Sequence, residues 1–148
     1  MKTLLAHSPG NPRNSEGCFE KLKDGTLVFA YTRYNGSNFH DECSADICLI
    51  RSKDKGKTWS SPEIIVKNKK QNVMSVSLLR LQDGSIGMVY LEKSMVQDTK
   101  WIDCRPLFSV SSDEMTSWSD PVDIASEETE KRGRQSIHFV SCTILFSR

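Results

Sequence analysis

Two short runs in this chain concentrate the carboxylates and hydroxyls that chemistry could use, and each is built around an aspartate. One is Ser52-Lys53-Asp54-Lys55-Gly56-Lys57-Thr58-Trp59; the other is Ser111-Ser112-Asp113-Glu114-Met115-Thr116-Ser117-Trp118. Acidic loops of this kind raise the question of a metal site. A calcium loop needs oxygen ligands at regular positions and a closing Glu, and neither run supplies them. What remains is turn chemistry. The Asp carboxylate can accept backbone N–H bonds, Gly56 can take φ above zero, and Trp59 can fold over the turn into an apolar layer. Met115 occupies the glycine position of the second run. That turn is therefore expected to be looser, or to avoid positive φ.

Other reactive groups are scattered. His40 beside Asp41 suggests proton transfer, but no positioned serine or cysteine completes a triad. Cys18, Cys43, Cys48, Cys104 and Cys142 form no CxxC pair and no zinc-ligand series, and their odd number argues against a fully paired disulfide framework. Cys48 lies in an apolar run and reads as a small core residue. No metal and no cofactor is expected.

Composition narrows the partners. The 148 residues include 20 Lys and Arg against 19 Asp and Glu, which gives no general pull toward nucleic acid or anionic membrane. Lys67, Lys69 and Lys70 read as a solvated loop. The first apolar stretch is too short for a secretory signal, and no later run reaches membrane-spanning length. The default expectation is a soluble, cytoplasmic protein with one ordinary core.

The elements that hold the aspartate turns repeat. Asp24-Gly25 recurs as Asp83-Gly84, Tyr31 as Tyr90, Ser52 as Ser111, Asp54 as Asp113, Trp59 as Trp118 and Pro62 as Pro121, all at a constant offset of 59 residues. Repeats of this length stack, because one unit cannot bury its own apolar face. In the first unit, residues 18–22, 26–34, 45–51 and 63–66 read as strands. The second follows with 74–81, 85–91, 104–111 and 121–124, and a loop over 93–101. Alternation in 45–51 predicts a strand covered on both sides. The division is a segment 1–16, blade-like repeats 17–66 and 67–124, and a tail 125–148. The tail begins with a charged connector and offers one further strand at 137–140 or 143–146. The expected class is all-β, with about two four-stranded antiparallel propeller blades.

Ser-x-Asp-x-Gly-x-Thr-Trp resembles the Asp box, or BNR repeat, of the sialidase superfamily. Further echoes are Arg13-Asn14-Ser15-Glu16-Gly17, Leu22-Lys23-Asp24-Gly25 and Asn72-Val73-Met74-Ser75-Val76-Ser77-Leu78-Leu79. Together they cover roughly residues 12–124 and look like the amino-terminal portion of a six-bladed sialidase-type propeller.

That resemblance implies hydrolysis of terminal sialic acid glycosidic bonds. Such chemistry uses guanidinium groups for the sugar carboxylate, an acid near the leaving oxygen, and a tyrosine nucleophile. By resemblance Arg13 and Arg33 are substrate-binding, and Asp41 is the acid/base, with Glu42 and Asp46 as rivals. The usual Arg-Ile-Pro arrangement is missing at Arg13, where Asn14-Ser15 follows. Glu16 could orient an arginine or bind a sugar hydroxyl, and Arg105 could lie at the rim. Ser52, Asp54, Gly56, Thr58, Trp59, Ser111, Asp113 and Trp118 are the Asp-box turn residues. The family takes its nucleophilic Tyr, partner Glu and remaining arginines from later blades, so the chain alone is expected to be inactive. The alternative is a noncatalytic module that binds sialic acid or another acidic glycan, or one that self-associates through open blade faces.

Overall fold

Period-two alternation between turn formers yields eight strands in a computed structural model that describes residues 4–99 and 102–125. They are β1 (Asn14–Lys21), β2 (Leu27–Tyr34), β3 (Ala45–Ser52), β4 (Glu63–Val66), β5 (Asn72–Arg80), β6 (Ile86–Met95), β7 (Ile102–Ser111) and β8 (Val122–Asp123). They form two four-stranded antiparallel meanders, β1-β2-β3-β4 and β5-β6-β7-β8, that resemble propeller blades. Trp101 and the expected strand at 137–140 or 143–146 lie outside the described residues.

The first hairpin of each sheet is closed in the same way. Asp24 accepts from the Thr26 amide and hydroxyl at 2.8 and 2.9 Å, and Asp83 from those of Ser85 at 2.9 and 2.6 Å. Strand limits differ from expectation mainly at one end of each sheet. β1 starts at Asn14 rather than residue 18, because its pairing with β2 continues across a bulge between Ser15 and Gly17. β6 runs to Met95 and pairs with β7 out to Ile102, so much of the expected 93–101 loop is hairpin.

One apolar layer joins the sheets. Val28, Ala30, Ile47 and Leu49 of the first pack with Val73, Val76, Leu78, Ile86, Met88 and Tyr90 of the second. β3 is buried on both faces, since Cys48 and Ile50 face Tyr31, Phe29 and Trp59 on the opposite side. Gly17 is required at its place: an added Cβ would meet the Phe29 ring at 2.3 Å and the Ala30 carbonyl oxygen at 2.7 Å.

The second aspartate turn corrects the expectation for Met115. Its φ is 65°, in the left-handed region, beside Gly56 at 85° in the first turn. Nor is the turn looser: the Met115 amide donates to Ser111 Oγ at 2.9 Å, as the Gly56 amide does to Ser52 Oγ at 2.8 Å. The Met115 side chain is buried in the layer between the sheets, and that burial offsets the cost of a backbone conformation that glycine adopts freely.

Candidate functional site

The aspartate turns are saturated with internal bonds. Asp54 accepts from Ser52 Oγ at 2.8 Å, the Thr58 amide at 2.8 Å and Thr58 Oγ1 at 2.6 Å. Asp113 accepts from Ser111 Oγ at 2.8 Å, the Ser117 amide at 2.9 Å and Ser117 Oγ at 2.6 Å. These bonds favour the carboxylate form and pull both groups down to about 2. Trp59 closes its turn by donating Nε1–H to the Gly56 carbonyl at 3.1 Å. Both carboxylates are thus already engaged in holding a hairpin.

A different arrangement forms where β1 begins and β2 ends. Arg13 donates from Nη1 to Asp41 Oδ1 at 2.5 Å and to the Phe39 carbonyl at 3.1 Å, and its Nη2 lies 3.6 Å from Glu16. The guanidinium stacks over the Tyr34 ring, 4.7 Å from its centroid. Tyr34 is fully buried, and its hydroxyl donates to Asp41 Oδ1 at 3.4 Å. Burial pushes the Tyr34 phenol up to about 12. The hydrogen bond from Arg13 holds the Asp41 carboxyl below the usual carboxylate range, and the charges of Arg13 and Lys93 act in the same sense. Asp41 is thus an ionised acceptor on an exposed loop, fixed from one side by a cation over an aromatic face.

Glu16 sits at the β1 bulge with φ of 21°. Its carboxylate accepts from Ser15 Oγ at 2.7 Å and lies 3.6 Å from the Arg13 guanidinium. Asp46 is buried at the start of β3. Burial opposes its ionisation, but bonds from Lys67 (2.8 Å), the Asn68 amide (2.9 Å) and Asn35 (2.9 Å) outweigh that and keep its carboxyl low. Asp46 therefore ties Asn35, just after β2, to Lys67 and Asn68 in the segment between β4 and β5. Glu42 is exposed, and its backbone carbonyl accepts from Gln71 at 2.9 Å. Arg105 pairs with Asp103 at 2.9 Å and Asp123 at 3.6 Å within the second sheet.

Arg33 is not brought to Arg13 and Asp41. It precedes Tyr34 on β2, and successive strand residues point to opposite faces. Arg33 lines a cleft of about 300 Å³ with Leu5, Asn11, Asn14, Tyr31 and Trp59. Among the described residues it forms no ion pair with a carboxylate. Burial beneath it raises the Cys48 thiol to about 11 and the Tyr31 phenol to about 12. Tyr90 is likewise buried, and burial raises its phenol.

One participant escapes a reading of the sequence. Asn72, the first residue of β5, reaches across from the second sheet and donates from Nδ2 to the Asp41 carbonyl at 3.2 Å and also to the Cys43 carbonyl. The signal that could have found it is the offset itself: 59 residues before Asn72 stands Arg13.

No family profile matches the chain, and no curated protein matches it. Solved structures do. A protein of unknown function from Dyadobacter fermentans superposes with a TM-score of 0.66 at 22% identity, over 78% of this chain and 37% of that one. A Hadza microbial sialidase gives 0.63 at 17% identity, over 78% and 26%. A Trypanosoma rangeli sialidase in complex with sialic acid gives 0.54 at 18%, over 75% and 20%. The chain therefore shares its fold with parts of sialidases and spans well under half the length of each of these structures.

Proposed function

We propose that this chain is the two-blade portion of a six-bladed sialidase-type glycoside hydrolase, and that it binds an acidic sugar without cleaving it alone. The observation that carries this reading is the Arg13–Asp41 pair set over Tyr34 at the end of a sialidase-like blade. Arg33 is the guanidinium left for a sugar carboxylate, with the Asn11 and Asn14 amides beside it for hydroxyls. Cleavage needs a proton donor and a nucleophile. Arg13 keeps Asp41 ionised, and all three tyrosines of the sequence are buried with raised pKa values. A purified sample incubated with a fluorogenic sialoside should release no fluorophore above background, yet bind N-acetylneuraminic acid saturably. Binding should vanish in Arg33→Ala. Turnover abolished by Asp41→Ala would replace this reading with an active enzyme, and absence of saturable binding to any acidic sugar would remove it.

A second reading, an assembly module, is favoured by one observation. Phe19, Phe29, Tyr31, Ile50 and Trp59 form an apolar sheet face on which Phe19 is 59% exposed. At the 59-residue offset Phe19, Phe29, Tyr31 and Trp59 become Leu78, Met88, Tyr90 and Trp118, which pack against the first sheet. The open face is thus the counterpart of one that a neighbouring blade already covers. A second copy of this chain, docking head to tail through its second sheet, is the occupant this equivalence selects.

A further inference from the structure

We infer that Asn72 is the positioning residue of the Asp41 loop, gripping its backbone from the second sheet while Arg13 grips its carboxylate from the first. This rests on the reading of Asp41 as a site residue. Asn72 is fully buried. Both groups its Nδ2 reaches, the carbonyls of Asp41 and Cys43, are acceptors, which fixes the orientation of the amide. Its Oδ1 is buried and has no hydrogen-bond partner among the described residues. An orphaned buried acceptor is costly, so this side chain is poorly explained as core filler and well explained as a strap.

The neighbours of Asn72 extend the same grip. Gln71 Nε2 donates to the Glu42 carbonyl at 2.9 Å, Lys93 Nζ to the Asp41 carbonyl at 3.1 Å, and Asn68 Nδ2 to Ser44 Oγ at 3.2 Å. Three residues later Ser75, at φ 58° in the β5 bulge, donates its amide to Thr32 Oγ1 at 3.1 Å. Every residue from Asp41 to Ser44 is thereby held by the second sheet or the segment leading into it. Asn72 and Arg13 are repeat equivalents, so one position at the start of each inner strand has been given to the two halves of one task. The groups facing the Asp41 carboxylate are Arg13 and Tyr34 from the first sheet and Lys93 from the second, with Glu16 behind Arg13.

The test is the Asp41 carboxyl pKa, followed by ¹³C NMR in the full chain, with Arg13→Ala as the control that reports loss of the direct contact. In Asn72→Ala the loop should move off Arg13, and the Asp41 value should rise toward about 3.9, that of an unpaired aspartate. Gln71→Ala, a change at a half-buried residue outside the apolar layer, should raise it less but in the same direction. A folded Asn72→Ala protein with an unchanged Asp41 value overturns the proposal. If Asn72→Ala does not fold, Gln71→Ala decides: a rise supports the proposal, and no change overturns it. Titration of the wild-type chain with N-acetylneuraminic acid keeps the two ideas apart. Failure to bind with the pKa response intact removes the sugar-site reading and leaves the positioning role standing.

Discussion

Replacing Met115 by glycine restores the residue that the aspartate-turn motif carries in its first copy, and the structure predicts that this restoration is harmful. Two effects oppose each other. Glycine relieves a left-handed conformation worth about 1–2 kcal/mol to an L-residue. Against it stands loss of a buried methionine side chain, which in protein cores costs about 2–5 kcal/mol. The backbone bonds of Met115 to Ser111 Oγ and Arg51 survive the change, so they contribute little to the difference. The net expectation is a loss of about 1–3 kcal/mol, or a fall in Tm of roughly 2–12 °C at this chain length. Urea unfolding followed by tryptophan fluorescence measures it. Met115→Leu, which keeps volume, should cost less than about 1.5 kcal/mol. A Met115→Gly protein as stable as wild type, or more so, would refute the idea that the side chain and not the turn governs this position.

Further outcomes follow from the same geometry. Asp54 and Asp113 have native pKa values of about 2, below those of the unfolded chain. Their contribution is therefore complete above about pH 4 and lost as pH falls toward 2. Tm measured across that window should drop steeply in wild type, and the drop should flatten in Asp54→Asn combined with Asp113→Asn. Arg80 donates to Glu114 at 2.5 Å, to the Gly84 carbonyl at 3.0 Å and across the layer to the Lys21 carbonyl at 3.0 Å. Arg80→Ala should cost about 1–2 kcal/mol by denaturant titration, a charged hydrogen bond discounted for partial exposure; an unchanged midpoint would show that the cluster is idle. Gly17→Ala should destabilise by about 1–3 kcal/mol through overpacking against Phe29 and the Ala30 carbonyl. Phe19→Ser should lower the weight-average mass in sedimentation if copies dock on the open face, whereas a wild-type chain already monomeric at high concentration would exclude that docking.

Strands and hairpins were readable because alternation and turn residues act locally, and because each signal occurs twice at one offset. β4 matches its expected span from Glu63 to Val66, while the ends of β1 and β6 were missed because long-range pairing extends them. At Met115 the motif speaks only of backbone freedom, whereas the layer between the sheets supplies the compensating burial. Strand parity alone would have separated Arg33 from Tyr34, and hence from an Arg13 that stacks on Tyr34. Asn72 was hidden for another reason. Its importance lies in two carbonyls of a loop some thirty residues away, and no local pattern announces that contact.

The most direct measurement of the central claim is a ¹H–¹⁵N NMR titration of the full chain with N-acetylneuraminic acid, observing backbone amides and arginine side chains together. Saturable shifts should be confined to Arg33 and the rest of its cleft, namely residues 11–14, Tyr31 and Trp59, and should be abolished by Arg33→Ala. Flat spectra up to the solubility limit of the sugar, or shifts centred on the second aspartate turn at Asp113 instead, would contradict binding in this cleft.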